Sequence, residues 1–289
     1  MTTTNSFQAI IDKLCHASQR EYQNPYTTIE WPVGFDKSEW FMSPELLSLY
    51  GTETYAKLSD EQRTKLSFYE AVNFFSLNIN GEKALTAGLA QRLYKKGNAA
   101  INAYLHHFLD EENKHMIYFG GFCMRYAKKT YPDKKMVLPH TYAPGEEDFL
   151  FFAKVMIFEE LVDAHNLFMA KDERLAPVVR TINRLHHRDE TRHLVFGRQL
   201  VKELFVTHSP GWSDEVMRNV RSYLAAYLQA TWKEYYNPEV YNDAGLAMPY
   251  KLQQQAFHSD HAMDHRRRIA QNCVRFLLEN NMLTEAPRA

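Results

Sequence analysis

Four long segments with helical periodicity follow one another through the middle of the chain, and short breaks separate them. They are about 60–96, 98–130, 146–171 and 174–206. A capping box introduces the first, because Ser59 can cap the helix and Gln62 can reach back to it. No segment shows the alternation of apolar and polar residues that is typical of a strand. We therefore predict an all-α fold built around a four-helix bundle.

Additional N- and C-terminal helices are predicted on either side of the bundle. They span about 5–22, 213–236 and 260–283. Between the first of them and the bundle, residues 23–57 predict a wrapping segment with short helices, because prolines and glycines punctuate it. The last two helices are separated by a predicted loop that holds Pro238, Gly245 and Pro249.

The domain organisation follows from composition along the chain. A loop is predicted from Tyr131 to Pro144, with Pro139 inside it. No low-complexity segment or shift in composition marks a second domain. We predict one domain over residues 1–289, with a bundle core at about 60–206.

Composition and charge exclude several classes of function. The formal net charge of the 289 residues is −1, which argues against a nucleic-acid or membrane-surface protein. No apolar run approaches the roughly 18 residues of a membrane span, and the N-terminus lacks the features of a signal peptide. The three cysteines show no CxxC spacing, which fits free thiols in a reducing compartment. We expect a cytoplasmic protein.

Two Glu-x-x-His motifs lie in the middle of predicted helices, and each preceding helix carries a further glutamate. The motifs are Glu112-Asn113-Lys114-His115 and Glu190-Thr191-Arg192-His193. Glu82 lies 30 residues before Glu112, and Glu159 lies 31 residues before Glu190. One such motif is weak evidence, but this repeated arrangement is the ligand pattern of ferritin-like dimetal carboxylate bundles.

His186 adds a third imidazole to the second motif. It lies four residues before Glu190 and seven before His193, so one helix face carries all three side chains. A carboxylate with two imidazoles on one face is a suitable ligand set for a transition metal. The alternative is a core or surface histidine beside His187.

The glutamates of the first and third bundle helices have alternatives. Glu82 could be a charge on the helix surface, and Glu70 is its rival, although Glu70 breaks the repeated spacing. Glu159 and Glu160 are adjacent, and the helical periodicity favours Glu159 only slightly. Glu111 does not have the Glu-x-x-His register.

The apolar surroundings of these glutamates indicate the kind of metal. Glu82 follows the apolar stretch that begins at Ala71, and Glu159 follows the one that begins at Phe149. Carboxylates in such stretches are costly unless they are paired or bind a cation. Oxygen-rich ligation with imidazole suits iron or manganese better than zinc.

Four stretches of the chain resemble the p-aminobenzoate N-oxygenase family of nonheme diiron enzymes. They are Phe74–Leu85, His107–Met116, Ile157–Glu160 and His186–His193. The resemblance extends over about residues 40–235 and implies a ligand set of four glutamates and three histidines. By resemblance the metal ligands are Glu82, Glu112, His115, Glu159, His186, Glu190 and His193.

The resemblance also implies a reaction. Family members react a reduced pair of iron ions with O2, and known members oxidise aryl amines towards nitro compounds. We expect an O2-dependent monooxygenase with two iron ions as cofactor and a small-molecule substrate, most simply an aryl amine that is oxygenated on nitrogen. The alternatives are C–H hydroxylation or desaturation at the same site, a ferroxidase or iron-binding protein, and a purely structural metal site.

Other partners follow from what the chain lacks. The sequence has no dinucleotide fingerprint, so an external electron donor is expected. We predict no nucleic-acid or membrane partner, and a homodimer is compatible with the sequence.

Three further features stand outside the ligand pattern. Asp163 or Asp189 could accept a hydrogen bond from a ligand histidine, and His106 or His107 could line a pocket. A group near the C-terminus could bind an anion or a surface metal, but it is more typical of a solvated helix face. Its members are His258, His261, His265, Arg266, Arg267 and Arg268.

Overall fold

The computed structural model describes residues 2–36, 38–133 and 140–289, with the backbone alone for residues 2–6. The α-helices of these residues are α1 (Thr2–Arg20), α2 (Glu53–Lys57), α3 (Asp60–Arg92), α4 (Asn102–Phe122), α5 (Glu146–Lys171), α6 (Pro177–His208), α7 (Asp214–Glu234), α8 (Pro238–Asp243), α9 (Pro249–Phe257) and α10 (Asp260–Glu279). Short 3-10 turns lie at Pro44–Leu46 and Ser209–Gly211. The part of the chain that the structure describes contains no strand, so the all-α prediction is confirmed.

Helices α3 to α6 form the predicted four-helix bundle. Short connections make α3 antiparallel to α4 and α5 antiparallel to α6, and α3 also packs on α5 as α4 does on α6. The additional helices cover the outside: α1 packs on α4 and α6, α8 on α3, and α7 and α10 on α5. The bundle with additional N- and C-terminal helices is therefore confirmed.

The start of α3 agrees with its sequence signal, but its end does not. Ser59 accepts a hydrogen bond from the backbone N–H of Gln62, and the Gln62 side chain accepts one from Ser59 N–H, which completes the predicted capping box. The helix ends at Arg92 rather than near residue 96. The amide of Asn98 caps the carbonyl of Arg92, and Tyr94 adopts a left-handed backbone conformation with φ 56°. Side-chain capping thus ends this helix early.

Helix α4 is shorter than predicted at both ends. It begins at Asn102, and after Phe122 it widens into a π-helical turn, Cys123–Ala127, that ends at left-handed Lys128. The loop predicted from Tyr131 to Pro144 follows. Residues 134–139 of that loop, Pro139 among them, lie outside the described residues.

Two short helices occupy the segment that was predicted as a loop between the last two long helices. Pro238 and Pro249 stand at the first positions of α8 and α9. A proline needs no N–H at this position and its φ is already helical, so each proline starts a helix instead of breaking one. The prediction of an irregular loop was wrong for this reason.

The described residues of the segment predicted at 23–57, which are 23–36 and 38–57, pack against one end of the bundle. Its Trp40 carbonyl accepts a hydrogen bond of 2.8 Å from Ala176 N–H, in the turn between α5 and α6. Arg174, in the same turn, forms an ion pair of 2.7 Å with Glu45. These contacts hold the wrapping segment against the second helix pair.

Close packing of α3 on α5 positions the middle of the bundle. A side chain at Gly81 would overlap the ring of Phe158, and one at Gly88 would overlap the ring of Phe151. Two apolar clusters fill the interior: one contains Phe75 on α3, and the other contains Phe152 and lies towards the opposite end. The residues considered below lie in the polar layer between them. No helix among the described residues is long and apolar enough to cross a membrane.

Candidate metal centre

The seven residues predicted as metal ligands all project into the centre of the bundle. They are Glu82 on α3, Glu112 and His115 on α4, Glu159 on α5, and His186, Glu190 and His193 on α6. Each is between 0 and 4% exposed. The antiparallel pairing explains the spacing of about thirty residues, because the two glutamates of each pair lie at similar distances from the turn.

The seven side chains form three overlapping groups. The groups are Glu82, His115 and His186; Glu112, Glu159 and His193; and Glu112, His115 and Glu190. Within each group the candidate ligand atoms lie within 4.8 Å of one another. Since Glu112 and His115 each belong to two groups, the arrangement has room for two neighbouring cations.

His115 is close to carboxylates from three helices. Its Nδ1 atom lies 3.5 Å from Oε1 of Glu190, 3.8 Å from Oε2 of Glu112 and 3.9 Å from Oε1 of Glu82. These separations are longer than hydrogen bonds, and Nδ1 has no hydrogen-bond partner. The spacing is what ligands around a cation require.

His186 faces the centre and its neighbour His187 does not. Nε2 of His186 lies 3.2 Å from Oε1 of Glu82 and 3.1 Å from Oε1 of Glu190. His187 is at the surface, where its Nδ1 lies 2.6 Å from Oδ1 of Asp163. The surface alternative for His186 is therefore wrong, and Asp163 does not orient a residue of the central group.

The structure also separates Glu159 from Glu160. Both carboxylate oxygens of Glu159 are buried in the central group and accept no hydrogen bond. Glu160 points away from it and forms a charged hydrogen bond of 2.5 Å with Nε of Arg198. The carboxylate of α5 that is available to a cation is thus that of Glu159.

Unpartnered polar atoms show that the seven side chains fit a pair of metal ions. Buried atoms without a hydrogen bond are Oε2 of Glu82, Oε1 of Glu112, Nδ1 of His115, both oxygens of Glu159 and of Glu190, and Nδ1 of His193. Nδ1 of His193 lies 2.9 Å from Oε1 of Glu112, but the two are not aligned for a hydrogen bond. Orphaned buried polar atoms are rare in proteins, so this concentration indicates a site for cations.

The electrostatics of the site point the same way. Burial raises the pKa of Glu82 to about 7, although the hydrogen bond with His186 opposes the rise. Burial raises the pKa of Glu159 well above its usual range, and the charge of Glu190 adds to this. Burial also opposes ionisation of Glu190, but the charges of His193 and His186 outweigh it and lower its pKa. Divalent cations would relieve this conflict between burial and charge.

A second acid holds each Glu-x-x-His histidine from the opposite helix. Nε2 of His193 lies 2.9 Å from Oε2 of Glu111, and Nε2 of His115 lies 3.4 Å from Oδ2 of Asp189. With Nε2 occupied by an acid, Nδ1 of each ring faces the central group. This is the carboxylate–histidine arrangement of many metal sites.

Sequence reasoning anticipated Asp189 but not Glu111 or Asn166. Glu111 does not have the ligand register, yet a signal for it exists, because an acid directly precedes the glutamate of both motifs. Asn166 lies against Nδ1 of His186 and leaves Nε2 towards the centre. No local pattern marks Asn166, which lies two turns beyond Glu159 on α5.

Several other candidates lie elsewhere. Glu70 accepts a hydrogen bond from the backbone N–H of Ser48 and is not in the central group. His106 contacts the Tyr94 hydroxyl at the surface, and neither it nor His107 belongs to the cluster. The C-terminal His/Arg group is not a solvated face throughout, because Arg266 is only 2% exposed.

A small cavity of about 30 Å³, partly open to solvent, lies beside the bundle. Its lining includes Glu70, Phe74, His165, Tyr235, His265 and Arg266. None of the seven central residues lines it, but His165 directly precedes Asn166, which contacts His186. The cavity is thus separate from the central group.

The fold was compared with solved structures. The R2-like ligand-binding oxidase from Sulfolobus acidocaldarius is 16% identical, with a TM-score of 0.45, and the match covers 96% of this chain and 92% of that one. An R2-like ligand-binding oxidase with an aerobically reconstituted Mn/Fe cofactor is also 16% identical, with a TM-score of 0.49 and coverage of 96% and 94%. Similarity at this level carries no information about the ligand or activity of this chain.

Sequence comparison gives the family. No curated protein matches the chain significantly. A family model described as P-aminobenzoate N-oxygenase AurF matches residues 4–281, which include all four bundle helices and all seven central residues. The chain therefore belongs to the p-aminobenzoate N-oxygenase AurF family of diiron oxidoreductases.

Proposed function

We propose that the protein is an O2-dependent diiron monooxygenase that oxygenates the nitrogen of an aromatic amine. The observation that carries the proposal is the convergence of four glutamates and three histidines with eight unpartnered buried atoms in one polar layer. In this proposal the ligands are Glu82, Glu112, His115, Glu159, His186, Glu190 and His193. Family membership supports the oxidoreductase chemistry.

The donor set favours two divalent iron ions. Four carboxylates carry the negative charge that two divalent cations neutralise, and the remaining donors are neutral imidazoles. Oxygen ligands with imidazole suit iron or manganese, and no cysteine belongs to the three groups. Glu112 belongs to two of the three groups and would help to hold the ions.

The protein side chains hold the ligands and exclude water. Glu111 and Asp189 accept hydrogen bonds from the Nε2–H groups of His193 and His115, which leaves the Nδ1 atom of each ring facing the central group and available to a metal. When bound, reduced iron supplies electrons to O2. The apolar clusters on both sides keep the layer dry, which prevents loss of oxidising equivalents to water.

The cavity lined by His165 is proposed as the start of the substrate site; at about 30 Å³ it has room for little more than a water molecule and must widen to admit an aromatic ring. Three hydrogen-bond donors that line it lack an acceptor: Trp232 Nε1, Tyr235 Oη and Arg266 Nε. A substrate with an acceptor group, such as a carboxylate, would satisfy them. Phe74 and the His165 ring, which line the cavity, would contact the aromatic ring of the substrate.

The proposed reaction needs an external reductant. One atom of O2 is inserted into an N–H bond, the other leaves as water, and two electrons and two protons come from a separate donor. We propose a protein or small-molecule electron donor for this role. The homodimer, the cytoplasmic location and the single domain remain predictions.

Metal content and product analysis test the proposal together. After anaerobic loading, we expect about two iron ions per chain. Glu82→Ala should lose iron, whereas Glu70→Ala should retain it. One metal per chain, or a preference for zinc, would contradict the dinuclear site.

The reduced, loaded protein is then mixed with O2 and a panel of aryl amines. Mass spectrometry should show oxygen added at nitrogen. Oxygen added at carbon, or the loss of two hydrogen atoms, would support hydroxylation or desaturation instead. Iron uptake far beyond two per chain would indicate a ferroxidase, and failure of the reduced protein to consume O2 would indicate a structural metal site.

A further inference from the structure

One guanidinium connects the two acids that hold the Glu-x-x-His histidines. Arg192, on α6, is 5% exposed. Its Nη2 donates hydrogen bonds of 2.6 Å to Oε1 of Glu111 and 2.6 Å to Oδ1 of Asp189. The two acids come from different helices, so Arg192 joins α4 to α6 behind the metal-binding layer.

Each acid uses its other oxygen for a histidine. Oε2 of Glu111 contacts Nε2 of His193, and Oδ2 of Asp189 contacts Nε2 of His115. Two chains of contacts therefore start at the same Nη2 atom and end at the two imidazoles. A shift of the Arg192 guanidinium would move both acids and, through them, both rings.

The remaining donors of Arg192 reach back along α6 and across to the N-terminal helix. Nε donates to Oγ of Ser18, in the last turn of α1, at 3.1 Å, and Nη1 donates to Oε2 of Glu21, directly after α1, at 3.0 Å. Nη1 also contacts the carbonyl of Arg188 at 3.4 Å. All five N–H groups of the guanidinium are thus used.

We propose that Arg192 is a positioning residue that sets the orientation of both Glu-x-x-His histidines, and that α1 is part of this support. The inference rests on the proposed metal-binding function. A planar guanidinium with fixed donor directions can hold two carboxylates and a neighbouring helix at once. A lysine ammonium supplies a similar charge without this geometry.

A second charged pair on α6 provides a matched control. Arg198 forms a charged hydrogen bond with Glu160, but neither contacts a residue of the metal-binding groups. Removing Arg198 disrupts an ion pair between α5 and α6 without changing the support of a histidine. If Arg192 only stabilised the fold, substitution of Arg192 and substitution of Arg198 would have similar effects on metal binding.

Cobalt(II) binding to the full-length protein tests the proposal without measuring turnover. Titration gives the affinity, and the visible d–d bands report the geometry of the ligands. We expect Arg192→Met to weaken Co²⁺ binding about 10- to 100-fold and to change the spectrum. Arg192→Lys should recover only part of the affinity, while Arg198→Met should retain both affinity and spectrum.

Two outcomes would overturn the inference while leaving the metal site intact. The first is an Arg192→Met protein with wild-type Co²⁺ affinity and spectrum. The second is full recovery by Arg192→Lys, which would show that charge alone matters. If the wild type itself bound no Co²⁺, the proposed function would fail, and the positioning role would fail with it.

A milder variant isolates the contribution of α1 and serves if Arg192→Met does not fold. The double variant Ser18→Ala/Glu21→Ala removes both contacts from α1 but leaves the bonds of Arg192 to Glu111 and Asp189. We expect Co²⁺ affinity to fall about 3- to 10-fold, with a shifted spectrum. Unchanged affinity and spectrum would show that α1 is not part of the support.

Discussion

Glu159 and Glu160 are consecutive residues of α5, yet their carboxylates lie in opposite environments. Glu159 is among the seven central residues and its two oxygens accept no hydrogen bond, whereas Glu160 is paired with Arg198. The first therefore retains its binding capacity for a cation. The Glu160 carboxylate already binds the guanidinium of Arg198.

This difference predicts opposite effects of two isosteric substitutions. Glu159→Gln should reduce the iron content below two per chain and abolish activity, because it removes a charged donor. Its metal-free form should be at least as stable as the wild type, since an unpartnered buried acid is replaced by a neutral amide. Metal analysis and urea denaturation of both forms measure these effects.

Glu160→Gln is the control for that experiment. It should keep its iron and lose about 1 kcal/mol of unfolding free energy, because Arg198 is partly exposed and its ion pair is screened. Iron loss in Glu160→Gln but not in Glu159→Gln would reverse the assignment of the two residues.

His186 is expected to tune the oxygen reaction rather than to hold the fold together. His186→Ala should fold and bind two metals through the other six ligands, but it removes a nitrogen donor close to Glu82 and Glu190. Stopped-flow absorbance after mixing the reduced protein with O2 should show altered kinetics. His187→Ala, which loses only a contact to Asp163, should follow the wild type.

A His186→Ala trace that overlays the wild type, with full turnover, would contradict this prediction. It would remove His186 from the ligand set. The site would then be an ordinary two-histidine diiron centre.

The approach of α3 to α5 depends on glycine at position 88. In Gly88→Ala the new methyl group would overlap the ring of Phe151, on which the Arg92 guanidinium stacks at 3.8 Å. Overpacking of this kind costs about 1–3 kcal/mol. Equilibrium unfolding in urea should show a loss in this range.

Gly120→Ala is the matched control, because no atom outside the adjoining residues and helix backbone lies within 4 Å of the added methyl group. It should stabilise α4 by about 0.5–1 kcal/mol through helix propensity alone. A Gly88→Ala protein stabilised to the same extent would show that the two helices are not in close contact there.

The buried His165 should make the protein less stable in mild acid. Burial lowers its pKa to about 4, although its hydrogen bond to the Leu161 carbonyl opposes the shift. Between about pH 6.5 and 4 the unfolded chain binds a proton that the folded protein does not, so stability falls as the pH falls. The contribution from His165 should amount to about 2 kcal/mol between pH 7 and 5.

Denaturation at both pH values, compared between wild type and His165→Gln, measures this contribution. The variant should show a smaller loss of stability in acid. His258→Gln, at an exposed position, should retain the wild-type dependence. Equal pH dependence in all three proteins would mean that His165 is protonated in the folded state.

The sequence by itself determined the bundle and the spacing of the central residues. Helix periodicity and the Ser59 capping box are local signals, and they located the four long helices to within several residues. The Glu-x-x-His register is also local, because a helix places residues three or four apart on one face. It therefore brought Glu112 with His115, and Glu190 with His193, to one side of each helix before any packing was known.

Only the tertiary structure decided which residues surround that set. Glu159 and Glu160 differ by a single helical step, so the contact of Glu160 with Arg198 on another helix was needed to separate them. Arg266 was expected in solvent, but α10 packs it against Tyr236 and Phe257. Such contacts join residues that are far apart in the chain, and they depend on the packing of whole helices. No short sequence pattern predicts them.

The same distinction explains the supporting residues around the metal-binding layer. Each motif contributes one glutamate and one histidine to the central group. The acid that precedes the glutamate of one motif contacts the histidine of the other motif: Glu111 contacts His193, and Asp189 contacts His115. Arg192 joins these two contacts with a third helix, and its partners lie as far apart as Ser18 and Asp189 in the chain. The periodicity of one helix places residues on a face, whereas contacts among three helices exist only once the bundle has assembled.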